Sequence, residues 1–198
     1  RSRGLGDVYK RQTFIKRLAR NVDQRFAILE NEYGAAGIDG ARLGQNRQGT
    51  QKNVWEMTEQ CICCIGKKDF AASVLTIANV VDPEYLIVEP TGVGSLARII
   101  ENLRQIEYER IQLLSPVTIV DVYSYRRYMA EYPELYQDQI RSADTIIVSK
   151  TEACQAEEKQ RIQKFLQEIN SQAKIITDYA STMTREDYQS LLLGGRYE

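Results

Sequence analysis

The chain alternates short apolar runs with longer stretches in which apolar residues recur every three or four positions. The apolar runs are rich in β-branched residues and end in polar or turn-forming residues, which is typical of strands. They predict strands at 25–30, 54–57, 85–89, 117–121, 145–148 and 174–177. Because the runs are continuous rather than alternating, they indicate strands buried on both faces, as in a parallel sheet.

The stretches between these runs have the spacing of helices that bury one face. They predict helices at 71–81, 95–105, 123–132, 156–169 and 185–193, with a further helix beginning at Thr13. Strands that alternate with helices predict an α/β fold: a doubly wound, mostly parallel sheet flanked by helices. The ligands of such sheets bind at the carboxyl ends of the strands.

Two segments do not fit this alternation. Residues 1–12, RSRGLGDVYKRQ, lack helical spacing, so we expect them to be non-native or disordered and the domain to occupy 13–198. Residues 41–53, ARLGQNRQGTQKN, are polar and poor in apolar side chains, which predicts a mobile loop.

Composition excludes several kinds of partner and site. The 198 residues include 26 Lys and Arg and 27 Asp and Glu, and this net charge of −1 gives no reason to expect nucleic acid or a membrane surface as partner. No apolar run reaches the roughly 18 residues needed to cross a bilayer, so we expect a cytoplasmic protein. The chain has no histidine, which excludes Cys/His zinc sites and catalysis by a His base.

Three of the four cysteines lie within four positions, at Cys61, Cys63 and Cys64. Thiolates bind zinc and softer ions, but a tetrahedral site that uses these three needs a fourth donor. Since no histidine is present, a carboxylate such as Glu32 or a water molecule is the natural choice. The alternative is that the cysteines are small buried apolar residues.

Polar residues follow the predicted strands at the edge where a ligand is expected. Glu89 ends one strand and Gly92 follows it, so the acid could hold Mg²⁺ while the glycine lets a backbone N–H approach a phosphate. Ser149, Lys150 and Glu152 follow a later strand. There an acid could accept the N–H groups of a guanine edge, and the lysine stem could cover the ring.

Residues 92–97 also fit the relaxed G-x-G-x-x-A pattern of dinucleotide-binding folds, with Asp121 placed to receive a ribose hydroxyl. A dinucleotide-binding fold normally opens with its fingerprint strand, whereas two predicted strands come before this one. An NAD-binding oxidoreductase is therefore the weaker alternative.

Four motifs taken together, NEYG at 31–34, CICC at 61–64, EPTG at 89–92 and SKTE at 149–152, resemble in order and spacing the CobW branch of the CobW/HypB/UreG P-loop GTPases. The resemblance implies a GTP- and Mg²⁺-dependent GTPase that acts as a metallochaperone. It would bind Zn²⁺ or a similar transition metal at the CxCC motif and change its metal affinity by hydrolysing GTP. It also implies a metal-requiring client protein, and it leaves a homodimer open.

The resemblance assigns roles to particular positions. The implied metal ligands are Cys61, Cys63, Cys64 and Glu32. The implied nucleotide-binding residues are Thr13, Glu89, Thr91, Gly92, Ser149, Lys150 and Glu152. Among them Glu89 lies near Mg²⁺ and Gly92 faces the terminal phosphate, so these two positions are implied to be catalytic. In the guanine-reading element Glu152 stands for the usual Asp, and Ser149 for the commoner Asn or Thr.

The chain departs from the family pattern at its start. Lys10, Arg11 and Gln12 occupy the positions of the phosphate loop's glycine, lysine and first threonine, and they cannot form a glycine-lined cradle. We therefore expect the first strand and the Walker A loop to be missing, GTP binding to be weak and this fragment to be inactive. We also expect the C-terminal CobW domain to be absent. Without nucleotide dependence, the thiols would serve as a metal buffer or redox sensor.

Overall fold

The structure is a computed structural model that describes residues 5–32, 54–60, 67–90, 94–108 and 110–193. The predicted loop at 41–53 and the cysteines at 61–64 lie outside these ranges.

Helices and strands alternate along the described chain, as the hydrophobic pattern predicts. The helices are α1 Leu5–Asn21, α2 Lys67–Val80, α3 Leu96–Arg104, α4 Tyr125–Glu131, α5 Pro133–Arg141, α6 Ala156–Ile169, α7 Tyr179–Thr182 and α8 Arg185–Leu193. The strands are β1 Phe26–Glu32, β2 Val54–Gln60, β3 Tyr85–Glu89, β4 Val117–Asp121, β5 Thr145–Ser149 and β6 Lys174–Ile176. All six predicted strands are confirmed.

Three helices, α1, α5 and α7, differ most from the prediction, and the short α7 at Tyr179–Thr182 has no counterpart in the hydrophobic pattern. The first, α1, begins at Leu5 rather than at Thr13, so residues 5–12, expected to be non-native or disordered, form the first part of this helix. The pattern also missed α5, although Pro133 stands at its first position, Glu134 in its first turn and Arg141 in its last turn. These are ordinary signals of a helix start and a helix end.

All strand pairs in the described chain are parallel, which confirms the α/β class. The strands form two three-stranded sheets, in the orders β2-β1-β3 and β4-β5-β6. The chain divides into two compact units, each of which contains one sheet. The first unit is Arg1–Gly94 with Arg98–Gln112, and the second is Ser95–Ala97 with Leu113–Glu198.

Each unit has its own apolar core. In the first, Ala27 and Leu29 of β1 pack with Val74 and Ile77 of α2. In the second, all five residues of β5 are buried, as expected for the central strand of its sheet. The core side chains around that strand are Val120, Val122, Tyr125, Ile140, Ile146, Val148, Ile162 and Leu166. A membrane-spanning helix, judged by length and apolar content, is not found in the part of the chain that the structure describes.

Candidate functional site

The carboxyl ends of β1, β2 and β3 meet at one edge of the first sheet. Glu32 at the end of β1 is paired in register with Gln60 at the end of β2, and Glu30 is paired with Glu89 of β3. Neighbouring strands lie about 4.8 Å apart. In the sequence, Cys61 follows Gln60 directly.

The cysteines themselves, Cys61, Cys63 and Cys64, lie outside the described residues. Of the four predicted metal ligands, the structure describes only the backbone of Glu32. Within the described ranges no cluster of three Cys, Asp or Glu side chains could hold a metal ion. The metal role of the three cysteines and Glu32 therefore stays a prediction. The strand register places Gln60, the residue before the first cysteine in the sequence, opposite Glu32.

Glu89, the predicted Mg²⁺-side acid, is a buried carboxylate at the end of β3 and is 6% exposed. Its Oε1 accepts a hydrogen bond from Nε of Arg11 at 2.7 Å. Its Oε2 is also buried and has no hydrogen-bond partner among the described residues. A carboxylate taken out of water needs a compensating charge, and Arg11, whose side chain is 22% exposed, provides it.

Arg11, which the resemblance puts at the position of the phosphate loop's lysine, belongs in the structure to α1 together with Lys10 and Gln12. Backbone N–H groups inside a helix donate to carbonyls four residues back. They are therefore not free to surround a phosphate. Thr13 lies in the same helix and is half-buried. Thr91 and Gly92 lie outside the described residues, so their roles at the nucleotide stay predictions.

The second unit contains the other predicted site, at the ends of β4 and β5. Asp121 ends β4 and is 4% exposed. Its Oδ2 lies 2.8 Å from Nζ of Lys150, and its Oδ1 accepts the backbone N–H of Tyr123 at 2.8 Å. Lys150 has a left-handed backbone conformation with φ of 64°, which is unfavourable for a residue with a side chain.

Ser149 and Glu152, which flank this lysine loop, differ in what they offer to a ligand. Ser149 is buried on β5, and its Oγ donates to the carbonyl of Val120 at 3.2 Å. Glu152 is exposed. The serine hydroxyl therefore makes a hydrogen bond between β4 and β5, whereas the side chains of Lys150 and Glu152 are exposed to solvent.

Contacts from other elements hold the same loop. Thr151 is 1% exposed, and its Oγ1 accepts the N–H of Asp178 at 3.0 Å. Asp178 in turn lies 2.7 Å from Nζ of Lys159. This hydrogen bond from Lys159 lowers the pKa of the Asp178 carboxyl, although partial burial acts in the opposite direction.

Sequence reasoning did not identify Tyr123 and Cys154 beside this loop. The Tyr123 side chain is 62% exposed, and its hydrogen bond to Cys154 raises the pKa of the phenol above its usual value. Cys154 carries a free thiol, which lies 3.8 Å from the carbonyl of Lys150. The available signal was the position of Tyr123, an aromatic residue two places after an acid that ends a strand.

The geometry of Asp121 disfavours the dinucleotide alternative. That hypothesis needs a carboxylate free to accept a ribose hydroxyl. In the structure one oxygen of Asp121 faces Lys150 and the other accepts the N–H of Tyr123.

Comparison with known proteins gives consistent matches. The family described as CobW/HypB/UreG, nucleotide-binding domain, matches residues 11–177. The chain is 28% identical over 155 residues to the zinc chaperone YeiR of Escherichia coli K12, covering 78% of this chain and 46% of YeiR. It is 24% identical over 194 residues to the zinc chaperone CobW of Pseudomonas aeruginosa, covering 83% of this chain and 52% of that protein. The chain thus spans about half the length of the curated relatives it matches.

Solved structures show the same architecture. The crystal structure of Zn(II)-bound YjiA GTPase from E. coli aligns with a TM-score of 0.62 at 21% identity, covering 93% of this chain and 56% of YjiA. The hydrogenase maturation factor HypB from Archaeoglobus fulgidus aligns with a TM-score of 0.54 at 18% identity, covering 96% of this chain and 83% of HypB. At these identities the likeness establishes the fold.

Proposed function

Because the chain belongs to the CobW/HypB/UreG family of nucleotide-binding domains, we propose that it is the nucleotide-binding part of a GTP-dependent metallochaperone. In this proposal GTP binding and hydrolysis change the affinity for zinc or a similar transition metal, which is passed to a metal-requiring client. The names of the relatives, zinc chaperones and a Zn(II)-bound GTPase, support the proposal.

The observation that carries the metal part of the proposal is the register between β1 and β2. It puts Glu32 next to Gln60, the residue before the cysteine segment. Thiolates from Cys61, Cys63 and Cys64 with one carboxylate would make a donor set suited to a tetrahedral zinc ion. A carboxylate on a neighbouring strand offers a ligand that can exchange, which suits transfer of the metal better than permanent storage.

The nucleotide part of the proposal depends on the ends of β3 and β5. Glu89 would lie at Mg²⁺, Thr91 and Gly92 at the terminal phosphate, and Lys150 and Glu152 at the guanine base. A buried carboxylate whose Oε2 lacks a partner among the described residues fits a hard cation. When bound, Mg²⁺ would neutralise phosphate charge.

Arg11 limits this fit, because its guanidinium already balances the charge of Glu89. A cation at Glu89 would have to compete with Arg11. Since residues 10–12 are also helical, we propose that the chain as given binds GTP weakly. In a protein with a complete phosphate loop, GTP would order the segments after β1 and β3, and the first of these starts directly after Glu32, the last residue of β1.

The test is the zinc affinity measured with and without a GTP analogue. A chromophoric chelator would compete for Zn²⁺ against the chain, and against a version that carries a glycine-rich lysine loop before Thr13, each with Mg²⁺ and a non-hydrolysable GTP analogue. We expect the analogue to change the zinc affinity of the restored version by about 5- to 150-fold, the usual range of coupling between two sites. Equal affinities would reject the coupling.

Variants assign the ligands. Cys63→Ser and Glu32→Gln should weaken zinc binding, whereas Cys154→Ser, which removes a thiol of the second unit, should leave it unchanged. A thiol buffer or redox sensor would bind zinc equally well in all nucleotide states, so the same titration separates it from the proposal. Titration with NAD in place of the GTP analogue tests the oxidoreductase alternative.

A further inference from the structure

The Lys150 side chain combines a fixed end with an exposed body. Its ammonium group lies 2.8 Å from the carboxylate of Asp121, which is 3% exposed, while the lysine side chain as a whole is 55% exposed. Since the charged end is held at a buried partner, the methylene stem contributes to the exposed surface. A hydrocarbon strip fixed at both ends is a suitable surface for a flat ring.

Tyr123 is held by the same carboxylate. Its backbone N–H donates to Oδ1 of Asp121 at 2.8 Å, and the next N–H, that of Ser124, donates to the Asp121 carbonyl at 3.2 Å. Tyr123 is 62% exposed and lines a groove of about 530 Å³ with Cys154 and Gln155. An exposed aromatic ring on an anchored turn, beside a polar loop, is the kind of surface on which bases stack.

The backbone of the loop is held in an unfavourable conformation. Lys150 adopts φ of 64° without being glycine, and such residues concentrate at binding sites where the surroundings hold them. Three contacts do so here. Asp121 holds the side chain, the Cys154 N–H donates to the carbonyl of Thr151 at 3.1 Å, and Thr151 is tied to Asp178.

We propose that Asp121 is a positioning residue of a purine-binding surface, in which one carboxylate oxygen fixes the Lys150 stem and the other fixes the turn that carries the Tyr123 ring. The proposal rests on the proposed function, in which Lys150 and Glu152 contact guanine, and it adds Asp121 and Tyr123 to that site. Lys150 and Tyr123 provide apolar contact to the faces of the base. Asp121 acts through them and does not touch the ligand.

Nucleosides test this surface without involving the phosphate loop or the metal. Saturation-transfer difference NMR on the full chain would compare guanosine, adenosine and cytidine. We expect guanosine to bind best, with the strongest transfer at the base protons rather than the ribose protons. No binding of guanosine, or binding no stronger than that of cytidine, would overturn the proposal. Loss of nucleotide–zinc coupling would leave this result unchanged, so the two proposals can fail separately.

Substitutions test the positioning role. Asp121→Asn keeps an acceptor for the Tyr123 N–H but loses the ion pair, and Lys150→Met keeps the stem but loses its anchor. Each should weaken guanosine binding about tenfold, a typical effect of losing one stacking contact. The double variant should be no weaker than either single variant, because both remove the same link. Lys150→Arg should restore binding.

Tyr123 is tested with a matched control. Tyr123→Ala should weaken binding about tenfold and Tyr123→Phe should not. Tyr132→Ala, which removes another exposed tyrosine of the same unit, should have no effect. Thermal unfolding would identify a variant that fails to fold, and Lys150→Met, at an exposed side chain, keeps the test valid if Asp121→Asn does not fold. Wild-type guanosine affinity in Lys150→Met and Tyr123→Ala would refute the surface.

Discussion

Replacing Arg11 by Gln tests the ion pair between α1 and the end of β3. The substitution leaves the carboxylate of Glu89, which is 6% exposed, without its cation. Removing one partner of a buried pair typically costs about 3–5 kcal/mol, because an uncompensated charge stays behind. Arg11 is itself 22% exposed, so we expect the lower end, about 3 kcal/mol.

A matched control is the pair between Arg110 and Asp82, whose side chains are 64% and 68% exposed at a distance of 3.2 Å. Exposed pairs contribute only about 0.2–1 kcal/mol, so Arg110→Gln should scarcely change the stability. The assay is equilibrium urea unfolding followed by circular dichroism. If Arg11→Gln costs no more than Arg110→Gln, burial does not strengthen the Arg11 pair and the reasoning is wrong.

A double-mutant cycle with Glu89→Gln isolates the interaction. Glu89→Gln leaves Arg11, which can turn toward water, so it should cost less than Arg11→Gln. The double variant should cost less than the sum of the two single variants, and additivity would show that the two side chains do not interact. Mg²⁺ should stabilise Arg11→Gln more than the wild type, because a ligand that binds the folded state stabilises it and the competing guanidinium is gone.

Three further predictions concern the second unit. Asn170→Ala should cost about 2 kcal/mol in urea unfolding, because the amide donates to three carbonyls at 2.8–3.2 Å; Asn170→Asp, which keeps only the acceptor, should recover little. Thr151→Val should cost about 1–2 kcal/mol, because it leaves the N–H of Asp178 without its acceptor. Lys159→Met should destabilise the chain near neutral pH by no more than about 1 kcal/mol, and a larger loss would contradict the partly exposed geometry. The Asp178 pKa is lowered on folding, so this contribution is present above the ordinary aspartate value of about 3.9 and is lost as the pH falls below it; wild type and variant should therefore converge in acid.

The strands could be predicted because each is encoded by a short run of neighbouring apolar residues in the sequence. The run at β5 has three apolar residues in its middle, Ile146, Ile147 and Val148, and all five of its residues are buried in the structure. The start of α1 was not predictable in this way, because the spacing before Thr13 shows no apolar face, yet the helix extends back to Leu5. The helix α5 could have been predicted from Pro133 and its charged ends. It was missed because the preceding helical pattern ran up to Tyr132.

The positions of the candidate site residues at the strand ends could be predicted from the sequence, but the side chains that contact them could not. An acid at the end of a parallel strand is visible in the sequence, and Glu89 and Asp121 both lie there. Their partners could not be predicted, because Arg11 is 78 residues from Glu89 and only the folded chain brings the two together. The role of Tyr123 depends on a backbone hydrogen bond, which the sequence pattern does not specify.

The two strand-end acids, Glu89 and Asp121, have cationic partners of different kinds. Breaking the two ion pairs should therefore have opposite effects on ligand binding. At Glu89 the cation is Arg11 of α1, at the position that the resemblance gives to the lysine of the phosphate loop, and it would compete with Mg²⁺ for the carboxylate. Removing Arg11 should therefore favour Mg²⁺ while it lowers stability. At Asp121 the cation is Lys150, itself the residue proposed to cover the base, and the acid determines where its stem lies. Removing Asp121 should therefore weaken base binding. If breaking either ion pair left ligand binding unchanged, the pairs would only neutralise buried charge and have no part in ligand binding.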